Sequence, residues 1–234
     1  MLPIYALLAA CKSQKSTERS LVIYADPTAQ FIPDSFKHLL PILDSIWYRD
    51  QFYRYDRGTD SKKERKIEHK EFKKNGDKIR EWDALNLIMV EDIISKYGWL
   101  GPRQVGFRGM SALFLPIQHA DLKTQEKYLP LIRQAAVDKK VIPSHFAMLA
   151  DRIAIRNKRP QEYGTQINAA GGKYEIMPLL NPDSVDVWRK SINMAQTMEE
   201  YLKIWNVSWD KEEYKKQLPG LMKKYGMVDS LGRR

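Results

Sequence analysis

The chain has 234 residues, of which 43% are hydrophobic and 29% are charged. This composition is typical of a soluble globular protein with one sizeable core, and nothing in it requires a second domain. Beyond the N-terminus, no stretch approaches the ~18–20 apolar residues that span a bilayer.

The formal net charge of +10 favours acidic partners such as anionic lipid, polyanionic glycan or nucleic acid. A lysine-rich solvated surface explains the same charge. We do not expect nucleic acid as a partner, because the chain has no basic residues interleaved with aromatic ones and no recognisable reading motif.

The N-terminal segment predicts a lipid anchor. Residues 2–10 are almost wholly apolar and lead into Leu8-Ala9-Ala10-Cys11, after which the chain becomes polar. This resembles the lipobox of a bacterial lipoprotein signal. The resemblance implies diacylglyceryl attachment at Cys11, cleavage before it, and a protein tethered to a bacterial membrane in the cell envelope, outside the cytosol. The segment lacks the usual basic start. Two explanations stay open: the true start of the protein lies upstream of Met1, or this is only an apolar N-terminus with a buried cysteine.

We divide the chain into a signal at 1–11, a tether at 12–32, a helical domain at 33–207 and a basic helical tail at 208–234. Residues 61–80 form a charged insertion within the domain, with nine Lys/Arg, four Asp/Glu and almost no apolar side chains. Such a composition is typical of a solvated helix or a mobile insertion.

The first helix of the domain begins near Pro33. Its apolar stripe, which includes one carboxylate, is Leu39, Leu43, Ile46, Asp50 and Tyr53. Asp50 forms a structural ion pair with Arg54, with Gln51 as a neighbour, or it faces a polar cavity; both interpretations stay open. A second helix is predicted over Trp82–Tyr97, ending at Gly98.

The segment 110–117 is apolar on every side, which indicates a helix buried all round. Pro116 is expected to kink it or to restart it. Gln118, His119 and Asp121 follow at its C-terminal end, where the helix dipole favours a cation. Asp121 is also a candidate cap for the next helix, Leu122–Val137.

A helix is predicted from Pro143 to about Arg156, with Asp151 and Arg152 on the flanks between two apolar faces. Consecutive residues of a helix point about 100° apart, so these two cannot neutralise each other. Each needs a tertiary partner, and we expect both to lie near Asp50, Arg54 and His119.

Alternation around a glycine turn predicts a small β-hairpin near residues 161–177. Helices are expected at about 181–195, at 198–205 and in the tail from residue 210. The predicted fold class is therefore mostly α, a single compact helical domain with one small β-hairpin.

Six short motifs follow one another in a characteristic order. They are Asp50-Gln51 with Arg54, Asp83 with Asn86, Gly98-Trp99, Gln118 to Asp121, Leu149 with Asp151-Arg152, and Tyr163 to Gln166. This ordered set resembles the bacterial DUF6624 family, a domain of unknown function, over roughly Phe36 to Tyr201. The resemblance implies a shared, mostly helical domain and no particular activity.

Three functions remain open. The first is a hydrolase or lyase in which His119 is the acid or base and Asp151 or Asp50 orients it. The second is a non-catalytic module that binds a glycan, peptide or protein, and the third is a network that only fixes the helices. The predicted ligand-contacting residues are Arg152, which would hold an anionic group, Gln118, Asp121, Gln51, Arg54, Tyr163, Thr165 and Gln166.

We predict no cofactor and no metal. His119, Asp121 and a distant Asp could together supply three ligands. No second histidine stands at a ligand-like spacing, however, which weighs against a metal site.

Overall fold

The structure is a computed structural model that describes residues 32–52, 54, 74–170 and 173–227. Its nine described helices and one antiparallel hairpin confirm the mostly α fold class. The helices are α1 (Asp34–Lys37), α2 (Leu40–Gln51), α3 (Gly76–Tyr97), α4 (Pro102–His119), α5 (Leu122–Val137), α6 (Pro143–Arg156), α7 (Val185–Ser191), α8 (Met198–Ile204) and α9 (Lys211–Lys224). The strands are β1 (Ile167–Ala170) and β2 (Lys173–Ile176), paired with Asn168 opposite Glu175.

Cys11 and the predicted signal, the predicted tether except Ile32, and residues 61–73 of the predicted insertion lie outside the described residues. No described helix is both long and apolar enough to cross a bilayer.

The main core surrounds α4. This helix packs on α2 and α3, while α5 pairs with α6. Its inward residues Leu113, Phe114 and Ile117 are completely buried, together with Ile46 of α2 and Leu149 of α6. These contacts place the C-terminal ends of α2 and α4 side by side. A second apolar cluster joins the hairpin to α7, α8 and α9 through Ile176, Leu179, Val185, Met198, Leu202, Tyr214 and Leu221.

Helix α3 begins six residues earlier than predicted, at Gly76 instead of Trp82. The end of the charged stretch is therefore helical. It buries Ile79 and carries ion pairs one turn apart, Asp77 with Arg80 and Lys78 with Glu81. This first turn was not predicted as helical because most of its residues are charged and only Ile79 is buried.

Helix α4 also begins earlier than predicted, at Pro102. The Gln104 side chain accepts a hydrogen bond from the Gly101 N–H at 3.0 Å, and this contact caps the N-terminus of the helix. The helical dihedral angles are interrupted at Gly106, whose φ is 71°, and α4 continues through Pro116 to His119. The expected break thus falls at a glycine, which tolerates positive φ.

The bounds of α5 and α6 agree with the sequence prediction. Two later elements are shorter than predicted. The hairpin covers only 167–176, because residues 161–166 form a loop, and α7 covers only Val185–Ser191. The Asn181 side chain accepts the N–H of Asp183 in a turn before α7, and Asn193, with φ 59°, follows its end.

Candidate functional site

The site is built around a hydrogen bond between a carboxylate and an imidazole. Asp50 in the last turn of α2 and His119 at the end of α4 are 69 residues apart in sequence. Asp50 Oδ1 lies 2.8 Å from His119 Nδ1. The Asp50 side chain has no exposed surface, whereas one fifth of the His119 side chain is exposed. The buried Asp50 carboxylate therefore binds Nδ1 of His119, while part of the same imidazole ring remains exposed to solvent.

The other groups around Asp50 are donors. Gln51 Nε2 donates to Asp50 Oδ2 at 2.7 Å, and Arg54 donates to the Asp50 carbonyl oxygen at 3.1 Å and to Oδ1 at 3.4 Å. Because an ionised carboxylate only accepts hydrogen bonds, the neutral His119 ring must carry its proton on Nδ1. Its Nε2 is then an acceptor, with no partner among the described residues.

Arg54 links this pair to α3. Its second guanidinium nitrogen donates to Asp83 Oδ2 at 2.5 Å, so one cation bridges two carboxylates. Below Asp83 on the same helix, the buried Asn86 accepts from Arg49 Nε at 2.8 Å and donates to the Ile46 carbonyl. These contacts fix α2 against α3 and hold Asp50 in position.

A basic face of α6 borders the end of α4. Arg156 donates to the carbonyl oxygen of Ala120, the residue after His119, at 2.7 Å. Arg152 lies one turn earlier on α6. Burial lowers the pKa of Arg152, and the nearby charges of Arg156 and Arg54 lower it further. Its Nε is buried without a hydrogen-bond partner among the described residues.

Gln118 is almost completely buried, and neither polar atom of its side-chain amide has a partner in the described part of the chain. Its backbone carbonyl, by contrast, accepts a hydrogen bond from Gln125 Nε2 at 2.7 Å. An unsatisfied buried amide of this kind is unusual in a folded protein.

Asp151 belongs to a different network. Its Oδ1 accepts from the backbone N–H groups of Glu162 and Tyr163, each at 2.9 Å, and its Oδ2 accepts from the N–H and hydroxyl of Thr165 at 2.8 and 2.9 Å. Burial raises the pKa of Asp151 to about 6, against the opposite effect of these hydrogen bonds. Asp151 thus anchors the loop 162–165 to α6.

The same loop is held from its other side. Arg189 is almost completely buried and donates to the Tyr163 carbonyl oxygen at 2.7 Å. Gln166 contacts the Thr165 hydroxyl and, at 3.3 Å, the Met148 carbonyl oxygen. Burial is also the main reason that the pKa of Tyr163 rises to about 12.

Apart from the buried Gln118, the predicted site residues therefore divide into three sets. Asp50, Gln51, Arg54 and His119 meet directly, and Arg152 borders them. Of the two carboxylates expected to orient His119, Asp50 contacts it, whereas Asp151, with Tyr163, Thr165 and Gln166, belongs to the loop network. Asp121 caps α5 by accepting the Thr124 N–H at 2.7 Å, as one interpretation of the sequence predicted, and is exposed.

Sequence reasoning did not assign Asp83, Arg156 or Arg189 to a site. Asp83 precedes Asn86 by three residues, so both lie on one face of α3, and Arg156 follows Arg152 by four on α6. These spacings could have assigned Asp83 and Arg156 to the site from the sequence alone. Arg189 has no such spacing to another predicted site residue.

A metal ion would find three ligands here. Asp50, Asp83 and His119 each offer an atom, and these atoms lie within 4.8 Å of one another. The Arg54 guanidinium, however, already contacts both carboxylates. Arg54 therefore already supplies positive charge to these two carboxylates, which weighs against a metal ion at the same place.

Comparison with known proteins gives one family. The DUF6624 model, described as a family of unknown function, matches residues 76–212, more than half of the chain. The match includes Asp83, His119 and Asp151 but begins after Asp50 and Arg54, so it is shorter at its start than the resemblance predicted. No curated protein and no solved structure matches the chain. The chain belongs to the DUF6624 family of unknown function.

Proposed function

We propose that this protein is a hydrolase or lyase in which His119 transfers the proton. The observation that carries the proposal is the 2.8 Å contact between Asp50 and His119 Nδ1, on a ring whose Nε2 has no partner among the described residues. A buried carboxylate that fixes the tautomer and stabilises the imidazolium is what an imidazole needs to act as a base.

The proton has a balanced path in either reaction. In a hydrolysis, His119 Nε2 takes a proton from water while the water oxygen attacks the substrate, and the imidazolium returns that proton to the leaving group. In an elimination, Nε2 takes the proton from the carbon adjacent to the one that bears the leaving group. The C–H electron pair forms the double bond, and the leaving group departs with its own bonding pair and takes the proton back from the imidazolium. Asp50 stays ionised in both cases and neutralises the imidazolium during the step.

An activity screen tests this proposal. The purified chain is assayed on carboxylic esters, phosphoesters, glycosides and uronate-containing glycans, together with His119→Gln and Asp50→Asn. We expect at least one compound class to be turned over and both variants to lose on the order of 10²–10⁴-fold in rate.

His38→Gln is the matched control, since His38 is a histidine whose ring contacts an exposed tyrosine hydroxyl, that of Tyr97, at 3.1 Å. This control should keep the wild-type rate. Turnover that survives in His119→Gln, or no turnover of any class by the wild-type chain, would contradict the proposal.

A second candidate function is a glycan-binding module. A cleft of about 300 Å³ lies between β2 and α9, away from His119. Tyr174, Trp209 and Tyr214 line it together with Glu175 and Glu213. Aromatic faces beside hydrogen-bonding carboxylates suit sugar rings. Binding to an immobilised glycan panel that Trp209→Ala abolishes and His119→Gln leaves intact would favour this function.

We further propose that Cys11 carries acyl chains and tethers the protein to a bacterial membrane within the cell envelope. The support is the sequence Leu8-Ala9-Ala10-Cys11. Mass spectrometry of the N-terminal peptide should find diacylglyceryl on Cys11, and Cys11→Ser should release the protein from the membrane fraction. An unmodified Cys11 within an uncleaved chain would contradict this proposal.

A further inference from the structure

We propose that Arg152, with Arg156 beside it, binds an oxyanion, a phosphate or carboxylate group, on the substrate whose proton His119 transfers. The identity of that group as part of the substrate rests on the proposed function; the binding of an oxyanion does not.

The first support is position. Arg152 and Arg156 are four residues apart on α6 and so lie on one face of it, about one turn apart. Arg156 contacts the Ala120 carbonyl oxygen at 2.7 Å, which sets this face against the residue that follows His119. An anion on Arg152 would therefore lie beside the Asp50–His119 pair and not in a remote part of the protein.

The second support is the charge balance. Three guanidinium groups gather here, those of Arg54, Arg152 and Arg156, and Arg54 contacts the carboxylates of Asp50 and Asp83. In the described part of the chain, no carboxylate or carbonyl group contacts Arg152. The positive charges of Arg54 and Arg156 lie close to the Arg152 guanidinium, and the Arg152 Nε is buried without a hydrogen-bond partner among the described residues. A partly buried guanidinium that has no counter-charge among its described neighbours is destabilising, and a bound anion would reduce that cost.

The third support is the chemistry of the group. A guanidinium presents its N–H donors in a planar fork that matches the two oxygens of a carboxylate or a phosphate. Nε is one edge of that fork, and it is the Arg152 atom left without a partner. A neutral ligand would satisfy the donor and leave the charge uncompensated, so an oxyanion fits better.

The experiment uses inorganic phosphate and acetate as probes on the full chain. Binding is followed by chemical-shift titration of the arginine Nε–H signals at constant ionic strength, with chloride as the reference salt. We expect saturable binding of at least one probe to the wild-type chain. Arg152→Gln should weaken it at least tenfold, and Arg152→Lys, which keeps the charge but not the fork, should weaken it less.

Arg103→Gln is the matched control, because Arg103 is an exposed arginine in the first turn of α4, at the opposite end from His119. It should bind the probe as the wild-type chain does. Arg156→Gln gives a second measure if Arg152→Gln fails to fold, and it should also weaken binding. Equal affinity in Arg152→Gln and wild type, equal affinity in Arg156→Gln and wild type, or shifts that chloride reproduces would overturn the inference.

The result can be separated from the proposed function. His119→Gln should bind the probe normally. If the probe binds through Arg152 and no compound class is turned over, the oxyanion site stands and the enzyme proposal fails. If turnover depends on His119 but Arg152→Gln binds the probe as tightly as the wild-type chain does, the oxyanion site fails and the enzyme proposal stands.

Discussion

Asp151→Asn should separate a structural carboxylate from a catalytic one. In the structure, both oxygens of Asp151 accept hydrogen bonds, four in total, and every donor belongs to the loop 162–165. The asparagine amide keeps one oxygen and replaces the other with an NH₂ group. Facing Thr165, that NH₂ can donate to the hydroxyl, which can also accept, but the Thr165 N–H loses its acceptor. The hydrogen bonds from Glu162 and Tyr163 remain with a neutral acceptor instead of a charged one.

The magnitude follows from these contacts. A hydrogen bond to a charged acceptor contributes about 1.5–3 kcal/mol, against about 0.5–1.5 kcal/mol for one to a neutral acceptor. One such bond lost and two weakened by about 1 kcal/mol each give a loss of about 3.5–5 kcal/mol in the free energy of unfolding, which is large against the ~5–15 kcal/mol that stabilises a typical domain. His119→Gln, by contrast, changes a partly exposed side chain and should alter the free energy of unfolding by less than about 1 kcal/mol.

Urea unfolding followed by circular dichroism measures both effects. It is run at pH 8, where Asp151, with a pKa of about 6, is ionised. Asp92→Asn is the control, because Asp92 is an exposed acid that only pairs with Lys96 on the surface, and it should leave the midpoint unchanged. A loss below about 1 kcal/mol for Asp151→Asn would refute the assignment of Asp151 to the loop network.

Two further predictions concern buried groups. His145 is stacked on Phe114, and burial lowers its pKa from 6.5 to about 3. As the pH falls from 6.5 to 3, only the unfolded chain binds this proton, so stability should drop by about 4 kcal/mol, and His145→Leu should reduce this pH dependence in acid-unfolding curves; an unchanged curve would contradict it. Gly164 has φ 68°, and a Cβ there would lie 2.5 Å from Sδ of Met198. Gly164→Ala should therefore cost about 2 kcal/mol in thermal unfolding, whereas Gly220→Ala, with open space around it, should cost nothing; equal effects of the two would count against this.

The sequence predicted best the elements with strong local signals. Helix α5 has its limits as expected because the Asp121 side chain caps its first turn, a contact made within four residues. The start of α3 was missed because its first turn is almost entirely charged and has only Ile79 to bury. Helix α4 was predicted too short for two reasons. Its capped start at Pro102 was not recognised, and Gly106 interrupts the helix between that start and the apolar segment.

The site was predictable only in part, for a related reason. Asp50 and His119 each stood out as polar groups beside apolar stretches, so their meeting could be expected although 69 residues separate them. The partners of Asp151 are mainly backbone N–H groups, which every residue except proline carries. No residue type in the sequence could mark them, and the carboxylate was therefore expected near the imidazole instead of at the loop.

The tautomer of His119 tests the central claim most directly. The chain has four histidines, so long-range ¹H–¹⁵N spectra of the wild type and of single His→Gln variants can assign each ring. We predict that neutral His119 carries its proton on Nδ1 and leaves Nε2 unprotonated, and that Asp50→Asn disturbs this state. A neutral His119 protonated on Nε2, or a tautomer that Asp50→Asn leaves unchanged, would contradict the account.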